Sequence, residues 1–150
     1  MEKLFITNKI AIKSDRARVW KTLTDPTLTK KYMFGCEALS TWHLGDPLTW
    51  EMIYDGKPFI AVKGHVVSIS PMKNLSYTVF DPHSSIPDLP QNYLTVTYDL
   101  IEVDDEVTLI VTQGDFNLVE DGVRRYTEAF NGGEGWNPIL LKIKNTAEEK

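Results

Sequence analysis

Cysteine occurs once in this chain of 150 residues, at Cys36. One thiol makes no internal disulfide, so the core must hold the fold, and the expected setting is the reducing cytoplasm. No histidine or basic residue stands close to Cys36 in sequence, so it reads as a buried free thiol rather than a reactive one. Histidine is scarce too. His43, His65 and His83 are scattered singly, with no pair at i, i+2 or i, i+4, and the metal-ligand spacings that such pairs create are missing. Neither a metal nor a cofactor is expected. Basic runs are absent and the formal net charge is −5, the wrong sign for a nucleic-acid partner or an acidic membrane surface. Long apolar runs are absent as well. Asn8, Lys9 and Lys13 interrupt the opening "MEKLFITNKIAIK", so neither a leader nor a membrane span is expected. No Gly-x-Ser-x-Gly elbow, phosphate-cradling loop or dinucleotide fingerprint occurs.

What remains is an ordinary globular composition, 42% hydrophobic and 25% charged, of a length that fits one domain over residues 1–150. "LFITNKIAI" alternates, with Leu4, Ile6, Ile10 and Ile12 on one side, and predicts a strand with one buried face. Ser14 is placed to cap a helix over "DRARVWKTLT", whose Ala17, Val19, Trp20 and Leu23 recur at helical spacing. Asp25-Pro26 ends it and opens a second short helix, "TLTKKYM".

The middle of the chain reads as strands. "LTWEMIY" and "PFIAVKGHVVSI" flank Asp55-Gly56, a two-residue hairpin signal. Regular pairing sets Met52 opposite Phe59, Glu51 opposite Ile60 and Trp50 opposite Ala61. Trp50, Met52, Tyr54, Phe59 and Ala61 then share a face taken as the inner one, with Glu51, Ile60, Val62 and Gly64 on the other. "NLSYTVF" is a further strand. After it, "DPHSSIPDLPQN" holds three prolines and no period, either a lid over a cavity end or a stiff connection. The hairpin at Asp104-Asp105 joins "YLTVTYDLIEV" to "EVTLIVTQGDF". It sorts Leu94, Val96, Tyr98, Leu100, Val107, Leu109, Val111 and Gln113 to one face and a threonine-rich set to the other.

Val119, Val123, Tyr126 and Phe130 predict one apolar stripe of a helix from about Glu120, ended by Asn131-Gly132-Gly133. A last helix carries Trp136, Ile139, Leu140 and Ile143 on one side. Burying such side chains is worth roughly 1.5–3 kcal/mol each before entropy is subtracted. The dry face of the antiparallel sheet is the surface this stripe would cover. The fold class is therefore α+β, with the space between sheet and helix as the place for a pocket.

Three stretches carry a resemblance. Val19, Trp20, Leu23, Thr24, Asp25 and Pro26 match a Val-Trp-x-x-Leu-Thr-Asp-Pro core. Gly64, Val66, Pro71 and Leu75 match a Gly-x-Val, Pro-x-x-x-Leu stretch, and Gly135, Trp136, Ile139 and Leu140 match a Gly-Trp-x-x-hydrophobic-Leu tail. With these the chain resembles the SRPBCC (START-like) superfamily and, within it, the domain homologous to the activator of the heat-shock-ninety chaperone ATPase. The resemblance covers nearly the whole chain and implies the helix-grip fold of the birch-pollen-allergen group, with about six to seven strands curved around a long C-terminal helix. It implies no single reaction, because the superfamily includes lipid carriers, hormone receptors, aromatase and cyclase domains and chaperone co-factors. Two departures stand out. The second helix ends "KKYMFG" where many relatives carry a tryptophan and then a proline, and the 81–92 stretch is longer than the bare family hairpin.

Three functions follow, in order of preference. The first is non-catalytic binding of a small hydrophobic, aromatic or lipid-like ligand between the sheet and the C-terminal helix. Its candidate lining is Trp50, Met52, Phe59 and Tyr77 from the middle strands, and Leu94, Val96, Tyr98, Leu109, Val111 and Gln113 from the last hairpin. Trp136 and Leu140 close it from the helix. The second is a chaperone-associated interaction module whose partner is another protein. The third is a cyclase- or hydrolase-like enzyme acting on an aromatic substrate, which needs Tyr98, Gln113, His65 and Glu51 to converge.

Overall fold

The computed structural model describes residues 3–149. Strand β1 (Ile6–Ile12) is followed by helices α1 (Arg16–Thr24) and α2 (Pro26–Thr29). The strands β2 (Glu37–Leu39), β3 (Pro47–Tyr54), β4 (Lys57–Ser70), β5 (Asn74–Val79), β6 (Leu94–Val103) and β7 (Glu106–Gly114) come next, then helices α3 (Gly122–Phe130) and α4 (Asn137–Glu148). The seven strands form one antiparallel sheet in the order β1-β7-β6-β5-β4-β3-β2. The first strand returns to pair with the last, and α4 lies against the sheet's dry face. This is the helix-grip arrangement.

The hairpin β6–β7 has the expected register, with Tyr98 opposite Val111 and Val96 opposite Gln113. Its inner residues Leu94, Val96, Tyr98, Leu100, Val107, Leu109 and Val111 are all buried. The two-residue loop places Asp104 at a φ of 55°, a left-handed conformation that Asp tolerates better than most residues.

The β3–β4 hairpin departs from regular pairing. Met52 faces Phe59 and Glu51 faces Ile60 as expected, but the register then shifts and Trp50 faces Val62, not Ala61. Ala61 is the extra residue of a β-bulge. The parity of β4 therefore reverses: Val62 and Gly64, expected on the outer face, pair with Trp50 and Leu48 on the inner one. A second shift between Val66 and Ser68 bends β4 again. Beyond the core, Tyr54 is exposed. At Gly64, β4 lies so near β5 that a Cβ would sit 1.8 Å from the Thr78 carbonyl oxygen. The close approach requires glycine.

Helix α1 begins one residue later than expected. Asp15, not Ser14, is the N-cap, and its Oδ1 accepts from the Arg18 N–H at 2.7 Å. Val19 and Leu23 are buried, whereas Ala17 faces solvent. Asp25 caps α2 by accepting from the Thr27 N–H, and Pro26 occupies the first turn. The α1 guanidinium of Arg18 donates to the carbonyls of Thr146 (3.0 Å) and Ala147 (3.2 Å), capping the negative end of α4. Leu140, Ile143 and Ala147 of α4 are buried against the core, with Ile139 partly so.

The stripe expected on α3 does not pack as one. Val119 precedes the helix, Val123 is 73% exposed, and no residue of α3 is buried. Val119, Tyr126 and Ala129 pack partly against the core, with Tyr126 edge-on to Phe116 at 5.5 Å and stacked on Phe130 at 5.4 Å. The helix is pinned from its polar side, where Arg125 donates to the Asn92 carbonyl at 2.9 Å. Its spacing was helical, but the stripe splits, with Val123 and Phe130 left exposed.

Gly64→Ala is expected to destabilise the fold by about 3 kcal/mol, the upper end of overpacking costs, because the clash is with backbone. A urea titration showing a loss of unfolding free energy below about 0.3 kcal/mol would show that β4 and β5 can separate freely.

Candidate functional site

The turn from α2 to β2 is built around Thr29, which is fully buried. Its hydroxyl accepts from the Ala38 N–H at 2.9 Å and lies within donating distance of the Cys36 carbonyl at 3.3 Å. Phe34 (φ 54°) and Gly35 (φ 84°) are both left-handed here, so the chain reverses sharply. Met33 and Phe34 are thereby thrown toward the sheet's inner face.

Between this turn, the sheet and the head of α4 lies a hollow of about 320 Å³. Met33, Phe34 and Cys36 line it from the turn, Trp50 and Met52 from β3, Ala61 and Val62 from β4, Tyr77 and Val79 from β5, Gln113 from β7, and Trp136 from the head of α4. None of these side chains carries a charge. Phe34, 71% exposed, stands at the rim with the Lys142 ammonium 5.7 Å from its ring centre. An adjoining hollow of about 260 Å³ shares Met33, Gln113 and Trp136, so the indole and its amide partner form a common wall.

Trp136 is the best anchored of these residues. Its indole N–H donates to Gln113 Oε1 at 2.9 Å, and its backbone N–H donates to Asn8 Oδ1 of β1, also at 2.9 Å. Gly135, at φ 52°, lets the chain pass Asn8, since a Cβ would sit 2.4 Å from that same oxygen. Tyr98 meets the indole edge-on at 6.2 Å, and Trp50 lies 5.9 Å from Tyr77. The phenols of Tyr77 and Tyr98 share a hydrogen bond of 2.9 Å.

Five of the candidate residues therefore meet at the hollow: Trp50, Met52, Tyr77, Gln113 and Trp136. Phe59 does not. It stacks on His83 at 4.4 Å, outside the lining. Leu94, Val96, Tyr98, Leu109, Val111 and Leu140 stand behind the lining as packed core. Sequence reasoning missed Met33, Phe34 and Cys36, although "KKYMFG" marked the place. It also missed Val79, which the alternation from Tyr77 could have supplied, and Ala61 and Val62 as neighbours, which the bulge concealed.

The four residues weighed for acid–base work do not meet. Tyr98 bonds Tyr77, Gln113 bonds Trp136, Glu51 accepts from Thr49 at 2.6 Å, and His65 Nδ1 lies 3.1 Å from Thr78 Oγ1. Glu51 and His65, expected on opposite faces, share the outer one, because the bulge reverses the parity between them. The 81–92 stretch folds back on β4, where His83 Nε2 lies 2.8 Å from the Ile60 carbonyl and Asp88 pairs with Lys63 and Tyr93. It borders a separate hollow of about 250 Å³, lined by Lys63, Gly64, His65, Asp88, Pro90 and Tyr93, and contributes nothing to the one beside Trp136. Its two charged side chains, Lys63 and Asp88, already pair with one another, so the hollow lined without charge is the better candidate. Among the described residues no cluster of three His, Cys, Asp or Glu side chains is placed to hold a metal, and no helix is long and apolar enough to cross a membrane.

Burial pushes the Cys36 thiol above its ordinary range, so less thiolate exists at any given pH than on a free cysteine. Alkylation by iodoacetamide at pH 8 is expected to be much slower in the folded protein than in urea; equal rates would mean an open, ionised thiol. Trp136→Phe removes one donor and leaves Gln113 Oε1 unpaired, an expected loss of about 1–3 kcal/mol. Adding Gln113→Leu should restore part of it, and a calorimetric double-mutant cycle with no recovery would remove that hydrogen bond from the account.

The chain matches, over residues 13–148, the family model described as Activator of Hsp90 ATPase homolog 1-like protein. No curated protein matches it. Among solved structures, ChR145 from Cytophaga hutchinsonii is 31% identical with a TM-score of 0.74, the match covering 99% of this chain and 97% of that one. Protein MLL2253 from Mesorhizobium loti is 21% identical with a TM-score of 0.71, covering 95% of each chain. The Aha1 dimer from Colwellia psychrerythraea is 16% identical with a TM-score of 0.67, covering 97% and 96%. The last two share the fold alone. The motifs at Val19–Pro26 and Gly135–Leu140, the seven-stranded grip on α4 and the match across residues 13–148 together place this chain in the Activator of Hsp90 ATPase homolog 1-like family.

Proposed function

We propose that this protein binds a small, neutral, apolar molecule in the hollow between β3–β5, the α2–β2 turn and Trp136, and does so without catalysing a reaction on it. The observation that carries this reading is the hollow itself, about 320 Å³ and lined without a single charged side chain. Its size lies at the small end of ligand pockets, and its chemistry of many apolar walls with a few polar groups is typical of them. Phe34 and Lys142 mark the entrance. A free Cys36 in the wall accords with a reducing, cytoplasmic setting for a chain that acts as one domain.

A second reading has one observation in its favour. Leu118, Val123 and Phe130 are exposed around α3, an apolar surface of the sort that contacts another protein. The family name points to a chaperone ATPase as one such partner, and the Colwellia psychrerythraea relative is described as a dimer.

Ala61 lines the hollow at the bulge and is half-buried. Ala61→Phe is expected to fill the space while the protein stays folded. A neutral aromatic probe at 100 times its dissociation constant should stabilise the wild type by about 2.7 kcal/mol and the variant not at all. If no apolar probe raises the wild-type melting temperature, and native mass spectrometry finds no bound species, the ligand reading falls and the α3 surface takes its place.

A further inference from the structure

Glutamine is an odd residue for the place that Gln113 holds. Its companions on the inner face of the β6–β7 hairpin, from Leu94 to Val111, are buried, and Gln113 alone among them is half-buried. It lines the hollow beside Trp136 and also the adjoining one next to α3.

The bond to Trp136 fixes which way the amide lies. An indole N–H only donates, so the atom it meets at 2.9 Å is the amide oxygen. The Nε2 arm is left over. Among the described residues nothing accepts from it. Nor is that nitrogen sealed in, since the Tyr32 hydroxyl is the one buried side-chain N or O without a partner among the described residues. The amide N–H groups therefore reach open space, and both hollows lie against this residue. Anchoring the indole needs an acceptor alone, so these two donors are surplus to that task. Other polar groups of the lining are committed or weak: the Tyr77 hydroxyl bonds Tyr98, the Trp136 indole bonds Gln113, and the Cys36 thiol is a poor donor.

Filling the hollow makes this nitrogen the point of selection. An apolar body that displaces water from it leaves the amide donor unmade, a cost that a hydrocarbon does not offset. A molecule with an acceptor atom there restores the bond. A molecule whose polar group only donates finds the second lone pair of an oxygen already bonded, and the N–H groups stay unmade. The two cases are unequal, because a carbonyl with one partner is satisfied and an amide nitrogen with none is not.

We propose that Gln113 is the specificity-determining residue of the hollow. It admits apolar molecules that carry one uncharged hydrogen-bond acceptor, an ether or carbonyl oxygen or a ring nitrogen, and its Nε2 donates to that atom. This rests on the ligand reading given above and narrows it to a class.

Naphthalene and quinoline are the probes. They share a two-ring frame and differ in one ring atom, a C–H in the first and an accepting nitrogen in the second. Proton–nitrogen correlation spectra of the whole wild-type protein at neutral pH should place a Gln113 Nε2 proton further downfield in the quinoline complex than in the naphthalene complex. In Gln113→Met, which keeps the length and lacks the amide, quinoline affinity measured by isothermal titration should fall about tenfold more than naphthalene affinity, the equivalent of 1.4 kcal/mol. A merely structural role would not move that difference, because loosened packing weakens both probes together. The wild-type spectra stand even if the variant fails to fold. Binding of both probes, with equal losses in the variant and the same amide shift in either complex, would overturn the assignment to Gln113 and leave the apolar-ligand reading intact. Binding of neither would overturn both.

Discussion

One residue ties the sheet to the helix it grips. Trp136 spends both of its N–H groups on the sheet, the indole on Gln113 of β7 and the backbone on Asn8 of β1. These strands are neighbours, with Ile6 opposite Gln113 and Asn8 opposite Val111. The head of α4 is thus fixed to the seam where the chain's first strand closes on its last. Arg18 fixes the tail of α4 through the Thr146 and Ala147 carbonyls. With both ends held, the buried stripe Leu140, Ile143 and Ala147 has one position on the sheet. Charged hydrogen bonds and half-buried amides therefore set the registry, while apolar burial supplies most of the favourable energy.

The same anchoring explains why a hollow persists. Helix α4 cannot slide toward β3 and β4 without breaking the bonds at Trp136. The α2–β2 turn cannot collapse inward either, because Thr29 holds it from both sides. Trp50 and Tyr77 in the wall, and Tyr98 behind it, are stiff rings in tilted contact. Rigid walls meeting at fixed angles leave volume that flexible aliphatic residues would have filled.

Legibility in the sequence followed the physics of each element. The β6–β7 faces were readable because side-chain parity survives any even loop length, and the Asp104-Asp105 loop is even. The β3–β4 faces were not. A bulge adds one residue on one strand, and nothing in "PFIAVKG" announces that Ala61 is the extra one. Strand β2, only Glu37–Leu39, is too short for any period to register. The stripe on α3 was real as spacing, but spacing tells which residues share a side and not what that side meets. For the site, the aromatic and amide residues on regular strands were found, whereas Met33 and Phe34, set by a left-handed turn, were not. Asn8 looked like an interruption in an apolar strand. Only the tertiary structure reveals it as the acceptor that seats Trp136.

The bulge at Ala61 carries a further implication. Because the kink belongs to the backbone of β4, the outline of the hollow is drawn by main chain, and the side chains along it merely furnish the interior. Substitutions at positions such as Ala61, Val62 or Val79 can alter what fits inside while the frame around them stays put. A few conservative replacements could therefore reshape this space, with the grip on the terminal helix left untouched.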